Sequence, residues 1–402
     1  MISTQIRHKT LNFLSQLIAI PSTRGHEGMA AKLTHEAFLS ELDSVEIVPI
    51  NDSIIQDPDY NFPLPDFSHK GTPCVECILR GNTPGKAIIF NAHLDVVPPS
   101  EGQVDPFHAR TDEGIVYGRG ACDDKGPLAS LYAMVQLFKE RHVRPANDLI
   151  LHFVPEEENG GNGTLAMVRR GVRADAAIVL EPTEMDIVPA VRGAVWFTLE
   201  VYGRAAHSGN VATRVSAIEK AFQAIEIFKS YHDRLLSRSR GIPLFDIYPD
   251  PMPLTIGQFI SGVWPASVPN KAVVKGLIGF LPNVNRQQVK QELRNALLVE
   301  SDEWLRNNFK LDFNMLSNDG NMISVDHRVV STLSNSIQNN GGHPKIRALT
   351  AACDAWRYSA LGIPTVVFGP GSLLHAHAKD EHIRIDDIFT AAEILFDFAV
   401  CF

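Results

Sequence analysis

The chain has 402 residues, 45% of them hydrophobic and 21% charged, with a formal net charge of -9. This composition excludes a disordered chain, and the length points to more than one folding unit. The negative balance speaks against nucleic acid and anionic membranes as partners, and no apolar run reaches the ~20 residues of a membrane span.

Leu11, Leu14, Leu17 and Ile18 follow helical spacing and predict an amphipathic helix over 10–20, not the apolar stretch of a signal peptide. Cys74 and Cys77 form one knuckle where a zinc ribbon needs two, and five cysteines fit a reducing cytoplasm without disulfides. Apolar runs at 87–90, 149–154 and 176–180 read as strands covered on both faces, and 126–138 reads as a buried helix. The pattern changes near 190. A strand over 195–201 is followed by a helix over 214–231, strands over 254–260 and 272–280, and a helix over 286–300. That is the order of a split βαβ, ferredoxin-like unit. Beyond 320 the first style returns, with a helix at 329–339, a strand at 365–368 and a closing helix from 387. One α/β domain interrupted by a small lid is the simplest reading, with 1–190 and 318–402 as its two parts and 191–317 as the insert.

Acidic residues and histidine punctuate the strand ends. The run IIFNAHLD delivers His93 and Asp95, GRGACDDKG carries Asp123 and Asp124, PEEENGG carries Glu156, Glu157 and Glu158, and AAIVL runs into Glu181. Taken singly, His-x-Asp reads as an ordinary surface or core pair and Asp-Asp as a helix N-terminus. Several strands ending in such groups at one sheet edge are a stronger signal, because open α/β sheets bind ligands there and these side chains suit zinc.

With GRAAHSG around His207 and AHAKDE at 376–381 added, the chain resembles the co-catalytic zinc amidohydrolases and peptidases. That family includes acetylornithine deacetylase, succinyl-diaminopimelate desuccinylase, aminoacylase-1 and glutamate carboxypeptidase. The resemblance implies an α/β, mixed-sheet zinc-peptidase catalytic domain with helices on both faces, interrupted by a ferredoxin-like lid and dimerisation domain. It implies two Zn2+ per subunit, or Co2+ or another divalent metal, held by His93, Asp123, Glu158, Glu181 and His377. Asp123 would bridge the two, Asp95 would orient His93, and the peptide after Asp123 would be cis. Glu157 would be the general base acting on a metal-bridging water. His207 would be the lid donor reaching the active site of the other subunit of a homodimer.

The substrate positions depart from the family pattern. Ser267 stands where relatives often have Asn, and Leu277 where an arginine is expected. Arg357 is the candidate fork for a substrate carboxylate, with an exposed surface charge as the alternative. The expected activity is deacylation of an N-acyl amino acid or related small molecule in the cytoplasm. Dipeptidase or carboxypeptidase action on the same site is the second reading, and a non-catalytic metal-binding protein the third.

Overall fold

The structure is a computed structural model that describes residues 2–402 except 208 and 210–212. Its largest sheet has nine strands. The continuous apolar runs form its centre, because a strand sandwiched between helices meets no water on either side. Ala87–His93 lies between Asp148–Val154 and Ala176–Val179, parallel to both. Thr365–Val367 continues the parallel set and Ile187–Val191 then pairs antiparallel with it. Cys74–Leu79 and Ser44–Val48 extend the opposite edge in antiparallel fashion.

Alternation along the central strand shows why both faces are covered. Ile88 and Phe90 join a core with residues of Thr4–Ile18, Gly28–Phe38, Lys125–Glu140, Arg328–Asn339 and Ile385–Cys401. Ile89 faces the other way, into a core with Leu165, Val168, Ala355 and Tyr358. The N-terminal helix begins earlier than its apolar spacing suggests, because Ser3 caps it by accepting the N–H of Ile6. Among the described residues, no helix is long and apolar enough to cross a membrane, and all five cysteines are unpaired.

A second sheet of five strands is built from Gly193–Tyr202, Leu254–Ser261, Lys271–Phe280, Phe309–Asp312 and Ser317–Asn318. Its pairs are antiparallel, and Leu254–Ser261 lies at one end. Ala217–Arg238 and Arg286–Glu300 bury their apolar faces on it. His207 does not lie on the first strand of this unit. That strand stops at Tyr202, and His207 belongs to the short strand Ala206–His207, paired with Ser267–Val268. The chain turns at Gly203, where a Cβ would stand 2.3 Å from the oxygen of Val215.

The two sheets are joined by very short crossings. Only Arg192 separates Ile187–Val191 from Gly193–Tyr202, and only 319–320 separate Ser317–Asn318 from Asn321–Met322. The crossings run side by side: a Cβ on Gly193 would meet the nitrogen of Gly320 at 2.8 Å.

Phe38 is fully buried among Phe13, Tyr132 and Phe153, with ring centroids 6.2, 5.4 and 5.0 Å away. Phe38→Ala is expected to destabilise the larger unit by about 3–5 kcal/mol. Urea unfolding followed by tyrosine and tryptophan fluorescence checks this, and a loss below about 1 kcal/mol would contradict the packing described.

Candidate metal site

The ends of three adjacent parallel strands place the site. His93 is the last residue of its strand, Glu156–Glu158 follow Val154, and Glu181 lies two residues past Val179. His93 Nε2 is 2.9 Å from Asp123 Oδ1. Its Nδ1 is 3.0 Å from the backbone oxygen of Asp95 and 3.4 Å from that residue's carboxylate. A proton on Nδ1 donated to the Asp95 carbonyl leaves the Nε2 lone pair facing the cluster. His377 Nε2 lies 2.8 Å from Glu158 Oε1 and 3.3 Å from Asp123 Oδ2. Asp123 therefore stands between the two imidazoles, one carboxylate oxygen toward each. Its peptide bond to Asp124 is cis.

Two overlapping sets of donor atoms lie within 4.8 Å of one another: His93, Asp123 and Glu158, and His93, Glu157 and Glu181. All five expected ligands are thus brought together, and Glu157 sits with them. The three consecutive glutamates separate cleanly. Glu156 has φ 62° and turns into the protein, where Arg24 donates to it at 2.7 Å and Asn162 at 2.9 Å. Among the described residues, no hydrogen bond reaches the Glu157 carboxylate.

The donor set fits divalent metal. Burial, reinforced by the neighbouring acids, pushes the carboxyls of Glu157 and Glu181 well above the usual range and raises that of Glu158. Burial works against protonating His93, yet its bonds to Asp123 and Asp95 hold the imidazole well above its ordinary value. The bonds of His377 to Asp123 and Glu158 raise it to about 10. In the absence of metal these groups share protons. Cations would replace those protons, leaving imidazole and carboxylate in the forms that ligate.

Several supporting bonds are not evident from the sequence. The Asp95 carboxylate accepts the backbone N–H groups of both Glu157, at 3.0 Å, and Glu158, at 3.1 Å. Glu381 Oε1 accepts those of Cys122 and Asp123, both at 3.1 Å, and its other oxygen is bound by the buried Arg119. The motifs AHAKDE and GRGACDDKG hold the last pair, whereas nothing in the sequence singles out Arg24.

Arg357 requires a correction. It is 2% exposed, so it is no solvated surface charge. Nor does it offer a free fork, since Nη1 donates to the oxygen of Asp59 at 2.9 Å and Nη2 to that of Gly160 at 2.7 Å. His207 is exposed on the second unit, with Nδ1 accepting the N–H of Gly209 at 3.1 Å. Among the described residues, no hydrogen bond or ion pair joins His207 to the cluster.

Residues 89–400 match the family described as Peptidase family M20/M25/M40, and the chain belongs to that family. It is accordingly a hydrolase whose relatives are named for cleavage of amide bonds. It is 29% identical over 370 residues to an N-formyl-4-amino-5-aminomethyl-2-methylpyrimidine deformylase of Bacillus subtilis, covering 83% of each chain. It is 26% identical over 398 residues to a succinyl-diaminopimelate desuccinylase of Methylorubrum extorquens, covering 95% of each. Among solved structures, the metallo-carboxypeptidase Sso-CP2 of Sulfolobus solfataricus shares its fold with a TM-score of 0.76 at 20% identity, over 97% of this chain and 98% of that one.

Five groups at the site hold protons more tightly in the folded, metal-free protein than in the unfolded chain: Glu157, Glu158, Glu181, His93 and His377. Each contributes stability below its unfolded pKa and loses it as pH rises toward its folded value, whereas Asp123, held low by His377 and His93 despite burial, acts in the opposite sense. Chelated protein is therefore expected to lose thermal stability from about pH 5 to about pH 9, and added Zn2+ to raise Tm most at the upper end. Scanning calorimetry across that range checks it. A flat or rising stability without metal would contradict the site described.

Proposed function

We propose that this protein is a metal-dependent deacylase that hydrolyses the amide of a small N-acylated amine or amino acid. The observation that carries the reading is Glu157: a half-buried carboxyl beside His93 and Glu181 that makes no hydrogen bond among the described residues. In this reading His93, Asp123, Glu158, Glu181 and His377 would hold two divalent ions, zinc by donor type, Asp123 being shared by both. When bound, such a pair lowers the pKa of a shared water from ~16 toward ~7 and polarises the amide carbonyl. Glu157 takes the proton of the attacking water and returns it to the nitrogen of the departing amine. Its raised pKa suits both halves of that cycle. Asp95 keeps His93 in the ligating tautomer and holds the two glutamates in register.

Deacylation is favoured over peptide cleavage by the relatives named deformylase and desuccinylase, which match over most of their length. With both Nη groups of Arg357 bonded to backbone oxygens, the reading favours an amine part that needs no carboxylate anchor from it, such as that of an N-formyl or N-acyl amine. A panel of N-formyl amines, N-acyl amino acids and dipeptides tests the reading. Release of carboxylic acid is expected to exceed release of amino acids from dipeptides, and the reverse order would favour the dipeptidase reading. Glu157→Gln is expected to lower kcat by ~10²–10⁴-fold with two metals still bound. If Glu157→Gln loses a metal and Glu158→Gln does not, the two roles are exchanged.

The unit over 191–317 is read as a lid that also dimerises. Leu254–Ser261 is an edge strand, and Phe222, Phe259, Ile260, Val263 and Trp264 expose apolar surface on or beside it. A second copy of the chain would cover both the strand edge and that surface. His207 is read as a donor to the other subunit's active site. The Gly209 N–H bound to its Nδ1 places the ring proton on Nε2, which is then free to stabilise the oxyanion. His207→Ala is expected to lower kcat by roughly 10²–10³-fold. A mixed dimer of one His207→Ala and one Glu157→Ala subunit should regain about half the wild-type rate, since one of its two sites keeps both groups. Heterodimers without recovered activity would contradict action across the interface.

A further inference from the structure

The geometry points to Asn61 as a positioning residue that ties the lid to the loop carrying Glu157 and Glu158. This rests on the hydrolytic reading above. Asn61 is 1% exposed, and each of its backbone and side-chain polar groups is bonded across a junction of three segments. Toward the lid, its Oδ1 accepts the N–H of Ser317 at 2.9 Å and its Nδ2 donates to Asn318 Oδ1 at 2.7 Å. Ser317 and Asn318 are themselves paired in the lid sheet with Val195 and Ala194. Toward the catalytic loop, the same Nδ2 donates to the oxygen of Gly160 at 2.6 Å. The backbone of Asn61 exchanges two further bonds with the side chain of Asn162, at 2.9 and 3.0 Å.

Gly160 and Asn162 close the turn that follows the two glutamates. The Gly160 N–H returns to the oxygen of Glu157 at 2.8 Å, and Asn162 also holds the Glu156 carboxylate at 2.9 Å. The fit is tight enough that a Cβ on Gly160, where φ is +102°, would lie 2.4 Å from the Asn61 Cβ. Arg286, at the start of a lid helix, braces the same junction. It bonds the carboxylate of Asp59 and donates to the oxygen of Ser317 at 2.8 Å. The lid sheet and the turn that aims the base therefore share one buried amide.

The direction of each bond makes the role testable. Asn61 Nδ2 faces two oxygen acceptors, so a carboxylate in its place would set oxygen against oxygen while changing the shape little. Asn61→Asp and the lid variant Asn318→Ala are each expected to fold, to bind two metals, and to lower kcat on the order of 10- to 100-fold with little change in KM. Hydrogen exchange in the metal-free protein should quicken at amides 157–161 in Asn318→Ala, although that substitution lies in the other unit. If Asn61→Asp fails to fold, Asn318→Ala carries the test alone. Unchanged kcat, or unchanged exchange at 157–161, overturns the coupling. If that happens while Glu157→Gln is inactive, the hydrolytic reading stands. Turnover that survives Glu157→Gln sinks that reading instead, and loop exchange in Asn318→Ala still decides whether the lid and the turn are coupled.

Discussion

Carboxylates taken out of water repel one another unless something stands between them. This fold gathers Asp123, Glu157, Glu158 and Glu181 around two imidazoles at the end of one sheet. In a medium less polar than water that arrangement is costly for the bare protein. It persists because the backbone leaves the side chains no other place to go. The parallel strands end where they do for the sake of their apolar runs, and the acids follow directly in sequence. Core packing thus supplies the force that gathers these acidic groups, and the cluster has the donor types that a pair of cations would satisfy.

The same side-chain chemistry does two different jobs here, separated by hydrogen bonding alone. Asp95, Glu156 and Glu381 are buried carboxylates saturated with donors: paired backbone N–H groups for Asp95, Arg24 and Asn162 for Glu156, paired N–H groups and Arg119 for Glu381. Such carboxylates are architectural, holding loops where regular secondary structure has ended. Glu157 and Glu181 lack such donors and remain open to metal or proton.

How much of this was legible in the sequence depends on the range of the interactions. The central strands were visible because each is a continuous apolar run, and the acids at their ends could be read from the adjoining letters. The second sheet was visible because its strands and helices follow one another in an order that only a few sheets accommodate. The register among three identical glutamates was not readable from composition, since only the bonds of Glu156 to Arg24 and Asn162 distinguish it. Asn61 was invisible for a plainer reason: its partners lie about 100 and 256 positions away, at Gly160 and Ser317. The letter for Arg357 was readable, but not its burial. Strands such as Arg110–Asp112 and Ile115–Tyr117 are too short to show any periodicity.

The two crossings between the sheets have a mechanical consequence. A unit hung on one flexible linker could swivel in any direction. This one hangs on two straps of one and two residues, lying against each other where Gly193 meets Gly320. Paired short straps act as a door hinge: they permit rotation about the single line that passes through both and resist twist and translation. Asn61, which bonds the return strap's edge at Ser317 and Asn318, then sits where a latch would, beside the pin.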